Sequence, residues 1–109
     1  MRTLKFIVKD QIITKDPDCD FDNLVPGTEG YLKATFSFSP EWDDCIKIAG
    51  FFSVMGTEFQ PQFLKDGKSC LIPSEACKND AFKIQVVGKG VSKRITTNRL
   101  TINQNGGQE

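Results

Sequence analysis

A chain of 109 residues, 39% hydrophobic and 26% charged, has room for a single modest soluble domain. A formal net charge of zero without a dense basic stripe argues against a generic nucleic-acid binder, and no apolar run reaches the roughly 18 residues of a membrane span. The start, "MRTLKFIVKDQ", is basic but has only an interrupted apolar stretch and no small-residue cleavage site, so no secretory signal is expected.

Along the chain the hydrophobic period is two. "TLKFIVK" puts Leu4, Phe6 and Val8 on one face, and "QIIT" continues or pairs beside it. "YLKATFSF" places Leu32, Ala34, Phe36 and Phe38 inward, with Tyr31, Lys33, Thr35 and Ser37 outward, as in a half-buried antiparallel strand. "SPEWDD" allows one turn of helix, with Ser39 as cap and Pro40 first. In "CIKIAGFFSV", Ile46 and Ile48 alternate with Cys45, Lys47 and Ala49. "TEFQPQFL" is broken by Pro61 and belongs on a sheet edge. "KDGK" carries the Asp-Gly signature of a tight hairpin turn leading into "SCLIP". "PSEACKND" is a short helix capped by Ser74, "AFKIQVVG" is a strand with Phe82, Ile84 and Val86 inward, and "RITTNRLTIN" supplies the last strand material.

About seven short strands separated by Gly, Pro, Asn and Asp predict an all-β fold, a β-sandwich or small barrel with at most one or two helical turns. It spans residues 1–103, and the polar, Gly-rich residues 104–109 read as a flexible tail. The four cysteines, at 19, 45, 70 and 77, form no C-x-x-C pair. With no histidine in the chain, they read as reduced, mostly buried thiols rather than a metal site.

Charge is unevenly spread. Residues 10–44 carry nine acids against two bases, a local balance of −7, while residues 45–109 carry +4 and residues 1–9 carry +3. Asp16, Asp18, Asp20 and Asp22 alternate like the start of a calcium loop. Counting from Asp16, however, Phe21 stands where the EF-hand needs glycine and Gly27 where it needs a bidentate Glu. No metal or other cofactor is expected. Without histidine the thiols and hydroxyls lack the usual base, and "GKG" at 88–90 is too short for a phosphate loop, so no catalytic residue is assigned.

Two surfaces remain as candidates. Trp42, Phe51, Phe52, Phe59 and Phe63 form a candidate interface. Trp42 either plugs the end of the sandwich or docks a partner, and the adjacent rings of "GFF" must point to opposite faces. Asp16, Asp18, Asp20, Asp22, Glu41, Asp43 and Asp44 form a candidate acidic face.

The order of "GYLKATFSFSPEWDDCIKIAGFF", "LKDGKSCLIPSEA", "FKIQVVGKG" and "ITTNRLTI" covers most of residues 30–102. It resembles a family of small β-rich phage proteins and prophage domains of Gram-positive bacteria, similar to the N-terminal domain of phage baseplate upper proteins. The resemblance implies an immunoglobulin-like sandwich acting as a non-enzymatic, virion-associated structural module in a tail, baseplate or capsid-accessory position. Such a protein is made in the host cytoplasm and binds copies of itself or a larger virion protein, not nucleic acid or membrane. The alternative is a small phage-encoded inhibitor of a bacterial defence protein, of the anti-CRISPR type, binding a host protein through the acidic face. A carbohydrate-binding sandwich with Trp42 and Tyr31 as stacking platforms is the third reading.

Overall fold

The computed structural model describes residues 1–104. Among the described residues nine strands form two sheets, with two short helical turns between them. One sheet has the order β2-β1-β3-β6, made from β1 (Arg2–Lys9), β2 (Ile12–Lys15), β3 (Leu32–Phe38) and β6 (Ser69–Leu71). The other has the order β5-β4-β7-β8, made from β4 (Ile46–Phe52), β5 (Gln62–Phe63), β7 (Ala81–Lys89) and β8 (Arg94–Thr96), with β9 (Leu100–Asn103) also on β7. Leu4, Phe6, Val8, Ala34 and Phe36 from the first sheet meet Ala49, Phe51, Phe82, Ile84, Val86 and Ile102 from the second in one buried core. Two facing layers are what period-two alternation requires, because each sheet has one apolar face to hide.

The expected antiparallel architecture needs one correction. β1 and β3 pair in parallel over seven residues, Arg2 with Leu32 through Val8 with Phe38. Alternation is the same whichever way a neighbouring strand runs, so the hydrophobic pattern carries no information about direction. The parallel pairing sets Phe6 directly beside Phe36, with ring centroids 5.4 Å apart. Aromatic contacts extend from there through Phe38 to Trp42, at 5.9 and 5.2 Å.

Two register slips of one residue shape the second sheet. Phe52 pairs with Glu58, but Ile48 pairs with Phe63, so one extra residue is absorbed around Gln60 and Pro61. Val87 pairs with Thr96, but Ile84 pairs with Leu100, so a second is absorbed across residues 97–99. A slip of one residue turns every later side chain to the opposite face. At the second slip, Thr97 fills the gap by accepting the Val86 N–H through Oγ1 at 3.0 Å. Asn98 reaches across to the other sheet, where its Oδ1 accepts the Ile13 N–H at 2.8 Å. With the Asn98 N–H on the Gln11 carbonyl, this covers the start of the open edge of β2.

Both predicted helical turns are present, a 3-10 turn at Pro40–Trp42 and α1 at Ser74–Cys77. Neither serine caps its helix through the side chain. Ser39 Oγ instead accepts the Asp10 N–H at 3.0 Å, tying the turn to the end of β1. Asp66 and Gly67 both adopt positive φ, 54° and 67°, as the Asp-Gly turn requires. All four cysteines are free thiols, and burial pushes Cys70 up to about 12. Gln104, assigned to the tail by its polarity, is buried: its amide donates to the carbonyls of Cys77 and Asn79. The rest of that tail, residues 105–109, lies outside the described residues.

Candidate functional site

The five aromatic candidates separate sharply. Trp42 is fully buried, and its indole N–H donates to the Asp10 carbonyl at 2.9 Å. Its ring lies over Gly88 so closely that a Cβ there would stand 2.7 Å from two ring carbons. Only glycine leaves room for the tryptophan to close this end of the sandwich. Trp42 is therefore the plug, not a docking residue.

Phe51 is fully buried in the core. Phe52 points to the outer face, as adjacent strand residues must, but is only 6% exposed. Its ring covers Gly50, and the Arg99 guanidinium sits 3.8 Å from its centroid. Phe59 is half-buried and packs on the core. Phe63 alone of the five is open to water, at 69%.

Phe63 is exposed because of the slip at Pro61. In the register set by Phe52 and Glu58, Phe63 would lie opposite Lys47. The extra residue moves it opposite Ile48, on the outer face, and turns Leu64 into the core instead. Beside it on that face are Ile48 and the 64%-exposed Ile46. The Ile46 and Ile48 face of β4 is thus the outer one, and Ala49 and Phe51 fill the core.

At the β5–β6 seam, the turn at residues 65–68 carries the chain from the second sheet to the first. Leu71 on β6 is paired with Lys33 and is also largely exposed. Phe63 and Leu71 line a cleft of about 230 Å³ together with Lys33, Gln62 and Lys65. A shallower depression of about 670 Å³ continues from it, sharing Gln62 and Leu71 and lined further on by Glu29, Gly30, Pro73 and Glu75. The seam is therefore one groove with Gln62 and Leu71 at its middle, a lysine end that also holds Phe63, and a glutamate end.

The acidic candidates do not form one face. Residues 16–22 lie at the start of β1: the Asp16 N–H donates to the Lys5 carbonyl, and the Arg2 guanidinium donates to the carbonyls of Asp20, Asp22 and Asn23. Asp16 and Asp20 accept the N–H two residues on, from Asp18 and Asp22 at 2.9 and 2.8 Å. These carboxylates build consecutive turns in the loop. Among the described residues no group of three metal-ligating side chains is close enough to hold an ion.

Glu41, Asp43 and Asp44 sit beyond the other end of β1, where the Ser39 N–H donates to the Val8 carbonyl. An intervening strand of eight residues is on the order of 25 Å long. Asp43 lines a depression with Lys47, Asp66 and Lys68, so its charge has bases near it. Glu41 faces Asp10. Hydrogen bonding to Glu41 holds the Asp10 carboxyl above its ordinary value, with charge repulsion adding to the rise, while Glu41 is held below its own. Of the two carboxyls, Asp10 is therefore the later to lose its proton as pH rises.

Leu71, Ile46, Lys33, Lys65, Glu29 and Glu75 were not legible as site residues. The signal for Leu71 was the apolar run "CLI" on a short strand, which gives an edge strand a greasy residue on each face. No protein-family model, no curated protein and no solved structure matches the chain.

Proposed function

We propose that this protein is a non-enzymatic binding module of the phage virion, a tail, baseplate or capsid accessory with an immunoglobulin-like sandwich, assembled in the host cytoplasm and acting by protein–protein contact through the β5–β6 seam. The order of sequence motifs supports the phage context. The observation that carries the binding role is Phe63: a phenylalanine 69% exposed, beside exposed Ile46 and Leu71, in a chain that covers its other candidate rings. Leaving such a ring in water forgoes about 1.5–3 kcal/mol of burial, and grouped exposed apolar side chains mark interaction surfaces. The two acidic clusters lie at opposite ends of β1, which leaves the inhibitor reading without one continuous acidic face to act through.

Mass spectrometry of purified phage particles carrying the gene tests the proposal. The chain is expected in the particles, and Phe63→Ser is expected to fold but to be lost from them. A chain absent from wild-type particles overturns the virion assignment.

A further inference from the structure

Resting on that reading, we infer that the seam groove is a two-fold self-association surface and that its occupant is a second copy of this chain. The groove is complementary to itself. Gln62 and Leu71 belong to both of its depressions and mark its middle. A two-fold axis through that middle places Lys33 and Lys65 of each copy against Glu29 and Glu75 of the other. The same operation carries the Phe63 ring, which stands in the lysine half, onto the larger depression of the partner, an open hollow of about 670 Å³ with Gly30 and Pro73 in its lining. A knob on one half thus meets a hollow on the other, and unlike charges meet at both rims.

Two further features favour a copy over an added peptide strand. The edge strands at the seam are short: β5 has two residues and follows the break at Pro61, and β6 has three. Such edges are poor templates for strand addition. A formal net charge of zero also removes the long-range repulsion that would oppose like molecules meeting. With Leu71 as the one apolar side chain at its middle and a single aromatic in each lysine half, the contact belongs to the weak class.

Sedimentation velocity over about 1–500 µM on four samples decides the matter. The samples are the wild type, the double variant Lys33→Glu/Lys65→Glu, the double variant Glu29→Lys/Glu75→Lys, and an equimolar mixture of the two variants. The wild type is expected to pass from monomer to dimer. Each reversed variant, with unchanged circular dichroism and melting, is expected to associate at least about 10-fold more weakly. The mixture should recover dimers, because its lysine-only and glutamate-only grooves complement one another. A wild type that stays monomeric throughout overturns the inference, as do reversed variants that dimerise like wild type or a mixture that fails to recover. Phe63-dependent presence in particles with a monomeric wild type sinks only the self-pairing. Dimers of a chain absent from particles sink only the virion reading.

Discussion

The two ends of the aromatic inventory behave in opposite ways. At the Trp42 end, the largest side chain in the protein is fully buried, its one polar atom is bonded, and a glycine 46 positions later in the chain makes room for it. At the seam, Phe63 stands in water on a strand of two residues because a single extra residue at Pro61 has turned it outward. Both rings come two residues after a proline, Pro40 and Pro61, and both lie near a sheet boundary. The difference lies in what the opposite strand offers: Gly88 accepts a ring, whereas Ile48 only flanks one. Aromatic identity therefore gives no indication of whether a ring is buried or exposed; what the neighbouring strand places opposite it does.

Breaking the plug should have the largest effect. Trp42→Ala is expected to cost about 3–5 kcal/mol in denaturant unfolding, since it empties a filled site and orphans the Asp10 carbonyl. Gly88→Ala is expected to cost about 1–3 kcal/mol by driving a methyl into the indole. The double variant sharpens the point, because Gly88→Ala should cost little once Trp42 is already alanine. Additive effects would mean that Gly88 is needed for something other than the ring.

Asn98→Ala should come next, at about 1–3 kcal/mol, because it strips the Ile13 N–H of its acceptor. Hydrogen exchange should then accelerate at Ile13 and its neighbours in β2 before it does so in β7. By contrast, Phe63→Ser should change stability by no more than about 0.5 kcal/mol, as befits an exposed ring. A loss as large as that of Trp42→Ala would place Phe63 in the core.

The smallest effect is electrostatic. Asp10 has a raised folded value, so its contribution to stability is complete below the ordinary 3.8 and is lost as pH rises through the raised value. Glu41 has a lowered value, so its contribution is present above the ordinary 4.5 and is lost as pH falls through the lowered one. Above both values two carboxylates repel. Asp10→Asn keeps a donor for Glu41 and removes that repulsion, and asparagine suits the φ of 55° at this position. Its melting temperature should exceed that of wild type at pH 7, and part of the gain should fade on acidification towards pH 4. A pH-independent gain would leave only the backbone preference.

Much of the two-layer fold was legible because alternation alone assigns Leu4, Phe6, Ala34, Phe36, Phe82 and Ile84 to one buried side. The Asp-Gly turn and both helical turns followed from local chemistry. The parallel pairing of β1 with β3 was not legible, since direction leaves no mark on a period of two. Nor was the outward face of β4: Ile46 and Ile48 look more core-like than Cys45 and Lys47 until Phe51 fixes the phase. Of the site, Phe63 was visible as an aromatic beside an edge proline. Leu71 and Lys33, which line its cleft, come from segments brought beside it only by the crossing between sheets. The acidic residues looked like one surface because they are close in sequence, yet an entire strand lies between the two groups.

The most direct test of the seam as a self-association surface is a concentration series of amide NMR spectra of the wild-type chain. Shifts that grow with concentration are expected at residues 29–33, 62–65 and 69–75, with the amides around Trp42 and Gly88 unmoved. Spectra that do not change with concentration, or changes confined to residues 16–22 or 41–44, would contradict it.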